Sequence, residues 1–242
     1  MATWSYGITT VPDRATTYLP RTISSLRLAG FERPTLFIDG NARQDHEDYG
    51  LAIVDRNNPV GAFGNWIIAL WELWIREKTD WYVIFQDDFL MYSNTREYLE
   101  KCCLSATNRY YNLHTHPQNE QVEWKKDGWY KSNQRGRGAV ALMFPQDVVY
   151  RLLSNEHIAA KPRQNRNPYR NLDGTVSKAC TSSGITEWCH YPTLTYHIGE
   201  DSSLNFDKIN RQGELVRQPL PESWKGEEFD ALDLLCPENL ET

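Results

Sequence analysis

Residues 81–89 read WYVIFQDDF, an apolar run of five residues followed by Gln86 and two adjacent carboxylates. A nearly continuous apolar run of this kind predicts a strand that is buried on both faces, as in a parallel sheet. Carboxylates at the end of such a strand are costly to bury unless a cation neutralises them. Ligand sites of open α/β sheets lie at the carboxyl ends of strands, so the pattern predicts a ligand site at Asp87 and Asp88. The alternative is that Asp88 caps a helix while Asp87 is solvated.

The segments on either side of this strand alternate between strand and helix patterns. Further strands are predicted at residues 3–9, 35–38, 51–54, 139–144 and 194–197. Helices are predicted at residues 19–26 and 147–153 and, from the spacing of Ile67, Leu70, Trp71 and Trp74, at residues 67–74. This alternation predicts an α/β fold with a mainly parallel central sheet that is flanked by helices.

Length and composition limit the class of protein. The 242 residues are 40% hydrophobic and 24% charged, which suits one α/β domain with a buried core. The N-terminus lacks the basic and apolar regions of a signal peptide, and no stretch reaches the roughly 18–20 apolar residues of a membrane span. Five cysteines, two of them adjacent at Cys102 and Cys103, indicate reduced thiols. We therefore expect a soluble, cytoplasmic protein with no membrane partner.

Five stretches resemble, in their order along the chain, the GT-A glycosyltransferases, which use nucleotide-sugar donors. They are TTVPDR at residues 9–14, FIDG at 37–40, VIFQDDF at 83–89, GAVALMF at 138–144 and YPTLTYHIG at 191–199. The resemblance covers residues 3–204 and implies a Rossmann-like GT-A domain at 1–204. The acidic tail at 205–242 is then expected to pack on the same domain. Related families carry Glu-Asp-Asp at the acidic cluster, so Gln86 is a departure from their pattern.

The resemblance implies a divalent metal, Mn²⁺ or Mg²⁺, at the acidic cluster. By position, Asp88 would be a direct metal ligand and Asp87 would contact the donor's ribose or sugar. His197 resembles the histidine that completes the metal or diphosphate site in several such enzymes. The alternative for His197 is a packed core residue.

Other residues are expected to bind the nucleotide-sugar, with a UDP-sugar as the family-level expectation. Hydroxyl and backbone groups would contact the base and ribose, Arg14 would pair with the diphosphate, and the N-terminus of the long helix would attract anions. The candidate donor-binding residues are Thr9, Thr10, Arg14, Asp39, Gly61, Asn65 and Asp87. Each also fits an ordinary turn or helix start.

An inverting transferase also requires a carboxylate that accepts the proton of the acceptor hydroxyl. Asp173 is the first candidate for this general base, because it lies between the GAVALMF and HIG stretches, where the family's base usually lies. A helix cap is the alternative for Asp173, and Glu187 is the reserve candidate.

The acceptor is predicted from charge. Residues 124–170 contain ten Lys or Arg and three acids, interleaved with aromatics, whereas residues 205–242 contain nine acids and four bases. Bases and aromatics together suit nucleic acid, so one hypothesis is a hydroxymethylated base in phage DNA. The segment contributes Trp124, Lys125, Lys126, Trp129, Tyr130, Lys131, Arg135, Arg137, Arg163, Arg166, Tyr169 and Arg170. The alternatives are a glycan, lipid-linked or protein hydroxyl, a non-catalytic nucleotide-sugar-binding module, and a nucleotidyltransferase.

Overall fold

The computed structural model describes residues 2–41, 49–120, 127–159, 172–199 and 221–235. Its strands are β1 (Trp4–Thr10), β2 (Thr35–Ile38), β3 (Ile53–Asp55), β4 (Trp81–Phe85), β5 (Phe89–Met91), β6 (Arg109–Asn112), β7 (Gly128–Lys131), β8 (Ala141–Pro145), β9 (Thr186–Tyr191) and β10 (Thr195–His197). Its α-helices are α1 (Leu19–Leu28), α2 (Gly61–Arg76), α3 (Thr95–Lys101), α4 (Gln146–Leu153), α5 (Glu156–Ala159) and α6 (Leu172–Ser182). Pro12–Arg14 and Ala231–Leu234 form 3-10 helices.

Eight strands form the central sheet, in the order β3-β2-β1-β4-β8-β6-β9-β7. The pairs β3–β2, β2–β1, β1–β4 and β6–β9 are parallel, while β8 runs antiparallel to β4 and β6, and β7 to β9. The α/β class and the mainly parallel sheet predicted from the sequence are therefore confirmed. All five residues of β4 are buried, as their apolar run predicts.

Helices cover both faces of this sheet, and each face has its own core. Apolar residues of α1 pack on one face, among them Leu19 and Leu26, and those of α2 and α4 pack on the other. Within α2, Leu70 is buried and Ile67 and Trp74 pack against the core, as their spacing predicts, whereas Trp71 is 46% exposed and Trp66 is fully buried. The helix is apolar around most of its circumference, so spacing alone did not fix the edges of its buried face.

A second, two-stranded sheet lies beside the end of β4. Its strands β5 and β10 run antiparallel, with His197 opposite Phe89. This pairing brings the HIG stretch to the residues that follow the acidic pair. The backbone N–H of Ile198 accordingly donates to the carbonyl of Asp88 at 2.8 Å.

Residues 221–235 pack against the second sheet and α3. The ring of Trp224 stacks on Tyr92, with centroids 4.3 Å apart and planes 9° apart, and its centroid lies 5.6 Å from that of Tyr196. Ala231 and Leu234 are buried in the core on the α1 side. The proposed boundary between residues 204 and 205 lies outside the described residues. Across the described part of the chain, no helix is long and apolar enough to cross a membrane.

Candidate functional site

The acidic pair lies at the carboxyl end of β4 and is almost fully buried. Asp87 is 5% exposed and Asp88 is 4% exposed. The hydroxyl of Thr22, on α1, donates to the carbonyls of Asp87 and Phe89 at 2.9 and 3.0 Å and so fixes the backbone on both sides of Asp88. Gln86 donates from Nε2 to the carbonyl of Ala139 at 2.9 Å, so this residue joins β4 to the segment before β8.

Arg14 supplies the positive charge that neutralises the buried acidic pair. Its Nη1 donates to Oδ1 of Asp87 at 2.7 Å and to Oδ2 of Asp88 at 2.5 Å. Burial would lower the pKa of Arg14, but the two carboxylates outweigh burial and raise it further above its ordinary value. Arg14 was expected to pair with a diphosphate, whereas here the same guanidinium neutralises the two aspartates.

The two carboxylates have opposite pKa shifts. Burial and the neighbouring charge of Asp88 raise the pKa of Asp87 to about 6, against the opposing effects of Arg14 and a 2.5 Å hydrogen bond from Thr10. Burial also acts to raise the pKa of Asp88, but His197 and Arg14 outweigh it and lower that pKa to about 2. Asp88 is therefore the more acidic member of the pair, and its carboxylate contacts both Arg14 and His197.

His197 completes this cluster from the second sheet. Its Nε2 lies 3.2 Å from Oδ2 of Asp88. Burial lowers the pKa of His197, but the hydrogen bond and charge of Asp88 outweigh that effect and raise it. Gly199 lies against the same carboxylate, since a Cβ there would fall 2.3 Å from Oδ2 of Asp88. The ring of His114 lies behind His197 at a centroid distance of 6.4 Å, and burial lowers the His114 pKa to about 3.

One buried oxygen in the cluster has no partner among the described residues. Oδ1 of Asp88 makes no hydrogen bond to them, although the other oxygen of the same carboxylate contacts both Arg14 and His197. A buried carboxylate oxygen without a partner carries a desolvation cost that a ligand or cation would remove. This orphaned oxygen marks the point at which the cluster is incomplete.

The same oxygen tests whether the residues suit a divalent cation. Within the described ranges, no group of three or more His, Cys, Asp or Glu side chains is arranged to hold a metal. Asp88 Oδ1 and the neighbouring His197 are nevertheless of the ligand types that such cations accept, and Mg²⁺ is commonly bound by one or two carboxylates together with substrate phosphates. The residues therefore fit a cation that binds together with a diphosphate, and they do not form a complete cage by themselves.

The predicted donor-binding residues lie at the carboxyl ends of β1 and β2 and at the start of α2. The hydroxyl of Thr9 donates to the carbonyl of Phe85 at 3.2 Å. The backbone N–H of Asp39 donates to the carbonyl of Thr10 at 2.9 Å, which places the ends of the two strands side by side. Thr9, Thr10, Arg14, Asp39 and Asp87 thus line one edge of the sheet.

Asp39 and Asn65 make contacts within the fold. The two oxygens of Asp39 accept hydrogen bonds from the backbone N–H groups of Val60 and Gly61 at 2.7 and 2.8 Å, so Asp39 caps α2. The side chain of Asn65 accepts from Arg56 and donates to the carbonyl of Phe37. Gly61, at φ +79°, has open space where a Cβ would be, which suits close approach of a ligand to this helix start.

The two candidate bases lie in different environments. Asp173 is half-buried in the first turn of α6, where its Oδ2 accepts from the backbone N–H of Gly138 at 2.9 Å. Glu187 is 1% exposed near the start of β9, and its carboxylate accepts from Asn112 at 3.1 Å and Ser132 at 2.5 Å. Burial raises the pKa of Glu187. Asp173 is thus the more accessible carboxylate.

The described part of the basic segment uses its aromatic residues for packing. Tyr130 is buried and donates to the carbonyl of Asn119, and Trp129 packs edge-on against Tyr111 and His190. Neither ring is therefore available for base stacking. Lys131 and Arg135 are exposed and Arg137 is half-buried. Outside the described residues lie Trp124, Lys125, Lys126, Arg163, Arg166, Tyr169 and Arg170.

Comparisons with known proteins show the fold. No protein-family model and no curated protein matches the chain. Among solved structures, it is similar to GalNAc-T7 with UDP, GalNAc and Mn²⁺, at 10% identity and a TM-score of 0.54, over 78% of this chain and 42% of that one. It also matches a nucleotidyl transferase from Methanothermobacter thermautotrophicus, at 11% identity and a TM-score of 0.46, over 78% of this chain and 86% of that one. The chain thus spans less than half the length of GalNAc-T7, with which it shares a GT-A-like α/β fold.

Proposed function

We propose that this protein is a glycosyltransferase that moves a sugar from a nucleoside diphosphate donor, with UDP-sugars as the first choice, to an acceptor hydroxyl. The observation that carries the proposal is the unpartnered Oδ1 of Asp88, which is buried beside Arg14 and His197 at the carboxyl end of β4. That edge of the sheet is where open α/β folds bind ligands. The GT-A-like fold, whose relative GalNAc-T7 is described with UDP and Mn²⁺, supports the same assignment.

Asp88 and His197 would hold a divalent cation in this site. When bound, such a cation offsets the charge that develops on a diphosphate leaving group. The protein's own contribution is to present Asp88 in its charged form, since His197 and Arg14 lower its pKa. Thr22 keeps the backbone of the pair in place, and the missing side chain of Gly199 lets its backbone lie against the carboxylate.

The loop that follows β1 and the start of α2 would bind the nucleotide. The guanidinium of Arg14 could exchange one of its carboxylate partners for a phosphate of the donor. Carboxylate and phosphate groups each present two oxygens that match the fork of N–H donors of an arginine. Thr9, Thr10 and Asp39 line the same edge. Asp39 caps the N-terminus of α2, and the missing side chain of Gly61 would let the donor approach this helix start. These residues would orient the donor with its diphosphate towards Asp88.

Asp173 would act as the general base of an inverting transfer. It is the more accessible candidate, and the backbone N–H of Gly138 donates to its Oδ2 and so orients the carboxylate. Glu187 is enclosed by Asn112 and Ser132 and would maintain the sheet interior. Among acceptors, a glycan or protein hydroxyl is preferred over a DNA base, because the described aromatics of the basic segment are packed.

Thermal unfolding with a panel of nucleoside diphosphates and their sugars, each with and without Mn²⁺, tests the donor site. Ligand at about 100 times its Kd stabilises the native state by about 2.7 kcal/mol, which for a chain of this size is a shift of at least about 5 °C. We expect such a shift for one nucleotide family and only in the presence of the metal. No shift with any nucleotide would remove the proposed function.

Turnover then separates the enzyme from a binding module. Release of free nucleoside diphosphate from the donor that stabilises the protein, measured with and without candidate acceptors, is expected from a transferase. Binding without release in the presence of every acceptor class would identify a non-catalytic nucleotide-sugar-binding protein. Release of pyrophosphate on incubation with a nucleoside triphosphate and a sugar phosphate would instead identify a nucleotidyltransferase.

A further inference from the structure

The turn before β8 is held against the site by two glycines. Gly136 and Gly138 have φ angles of +61° and +71°, which favour glycine, and Arg137 lies between them. A Cβ at Gly136 would fall 2.4 Å from the carbonyl oxygen of Asp173, and a Cβ at Gly138 would fall 2.6 Å from the ring of His114. The backbone on each side of Arg137 therefore approaches its neighbours as closely as glycine allows.

Hydrogen bonds fix the same turn. Asn112 donates from Nδ2 to the carbonyl of Arg137 at 2.9 Å, and Gly138 donates to the carboxylate of Asp173 at 2.9 Å. Asn112 is itself buried and also donates to Glu187. The position of Arg137 is thus set by contacts to β6 and α6 that do not involve its own side chain.

The guanidinium of Arg137 has no partner among the described residues. Its Nε is buried and makes no hydrogen bond, and the residue as a whole is half-buried. By contrast, Arg14, Arg56 and Arg151 each form an ion pair with a carboxylate. A partly buried cation without a counter-charge destabilises the fold, so a protein that keeps one in a fixed turn has a use for it elsewhere.

The turn lies next to the acidic cluster. The residues that follow it, Ala139 and Val140, accept hydrogen bonds from the side chain and backbone of Gln86, directly before the acidic pair. Gly138 also contacts His114, whose ring neighbours that of His197. The backbone of the turn that carries Arg137 therefore contacts both the residue before the acidic pair and Asp173.

We propose that Arg137 binds an oxyanion, a phosphate or a carboxylate, that is carried by a substrate in this site. The proposal rests on the proposed function for the location of the site. It adds that one substrate carries an anionic group besides the donor's diphosphate. A guanidinium binds either group through two parallel hydrogen bonds, and these are strong where water is partly excluded. The anion has two possible sources, the donor's sugar and the acceptor, and they are separated by experiment.

The test compares Arg137→Met, which keeps the length and removes the charge, with Arg135→Met as the matched control on the exposed part of the same turn. The first measurement is thermal unfolding without ligand. Because the guanidinium of Arg137 has no partner among the described residues, Arg137→Met should be as stable as the wild type or more stable. A loss of stability that Arg135→Met does not show would assign Arg137 a structural role and overturn the proposal.

The second measurement is calorimetric binding of UDP-glucose and UDP-glucuronate, and of inorganic phosphate to the protein saturated with UDP. If the donor carries the anion, the wild type binds UDP-glucuronate at least about tenfold more tightly than UDP-glucose, and Arg137→Met removes that preference. If the acceptor carries the anion, phosphate binds the UDP complex of the wild type. Its affinity for the UDP complex of Arg137→Met is then at least about tenfold lower. Equal affinities of variant and wild type for all probes, or no anion binding by the wild type, overturn the proposal.

The two proposals fail in different ways. If the wild type binds no nucleotide, the proposed function is lost, and titration of phosphate into the nucleotide-free protein still reports on Arg137. If nucleotides bind and Arg137→Met changes none of the affinities, the glycosyltransferase proposal stands and the anion site is lost. The Arg135→Met control should match the wild type in every arm.

Discussion

Nη1 of Arg14 lies 2.5 Å from Oδ2 of Asp88, and this contact ties the first loop of the chain to the end of the central strand. The same nitrogen reaches Asp87 at 2.7 Å, so one guanidinium compensates two buried carboxylates. The Arg14 side chain is only 11% exposed, which leaves little water to screen the charges if the arginine is removed. The site is therefore a charge-balanced unit in which each member depends on the others.

Replacement of Arg14 by glutamine should destabilise the protein by about 3–5 kcal/mol, because it leaves buried carboxylates without a counter-charge. Arg21→Gln is the control, since its partner Glu227 is solvent-exposed and the pair should contribute at most about 1 kcal/mol. Urea unfolding of both variants and the wild type measures the difference. Similar losses for the two variants would contradict the buried-pair interpretation.

Replacement of Asp88 by asparagine should abolish the metal-dependent stabilisation by nucleotide while the protein remains folded. The substitution keeps the shape of the side chain but removes the charge that faces His197 and Arg14. Thermal unfolding with the stabilising nucleotide and Mn²⁺ measures the effect. Asp233→Asn, an exposed position in the C-terminal 3-10 helix, should behave as the wild type. A full metal-dependent shift in Asp88→Asn would exclude Asp88 as a ligand.

The sequence predicted the parts of this site that lie within single segments. The apolar run before Asp87 indicates a buried strand whatever its neighbours are, and adjacent carboxylates at its end require a cation. The parallel sheet follows from the alternation of strand and helix patterns. Arg14 was also identified as a site residue, although with a diphosphate as its expected partner. Its position in the chain indicates that it lies near the site, but it does not indicate which oxyanion it pairs with.

The contacts that depend on strand pairing were not predictable. Gly199 and Thr22 reach the acidic pair only because β5 pairs with β10 and α1 packs against the same turn. His114 lies behind His197 by the same long-range arrangement. A single threonine or glycine carries no local pattern that distinguishes such a role. The sequence also does not show that the guanidinium of Arg137 is unpaired among the described residues. Whether a charge is paired depends on residues that lie far apart in the chain.

Glu187 should make stability depend on pH. Burial raises its pKa above the ordinary value of 4.5, so the native state holds this proton more tightly than the unfolded chain does. As pH rises above about 4.5, the unfolded chain ionises first and stability falls until the native pKa is passed. Glu187→Gln should remove this component. Thermal unfolding of both proteins from pH 4 to pH 8 should show the wild type losing stability relative to the variant, and parallel curves would contradict the assignment.

Trp224 should couple the C-terminal segment to the second sheet. Its ring is stacked on Tyr92 and also packs beside Tyr196, the residue before His197. Trp224→Ala should therefore cost about 2 kcal/mol, less than a fully buried tryptophan, and should weaken metal-dependent nucleotide binding. Trp71→Ala, at a 46% exposed position on α2, is the control and should affect neither. Unchanged stability of Trp224→Ala would show that the segment does not depend on this ring.

Asp173→Asn should reduce turnover by about 10²–10⁴-fold while donor binding remains unchanged. The asparagine oxygen can still accept the hydrogen bond from Gly138, so the variant removes the basic group and keeps the turn that carries Arg137 in place. Nucleotide release with acceptor gives the rate, and calorimetry gives the affinity for the donor. Glu187→Gln is the matched control, because its enclosed carboxylate has no route to an acceptor and should leave the rate nearly unchanged. If Asp173→Asn keeps the wild-type rate while donor binding and turnover persist, the transfer does not use this base, and a retaining mechanism, which requires no such residue, becomes the consistent alternative.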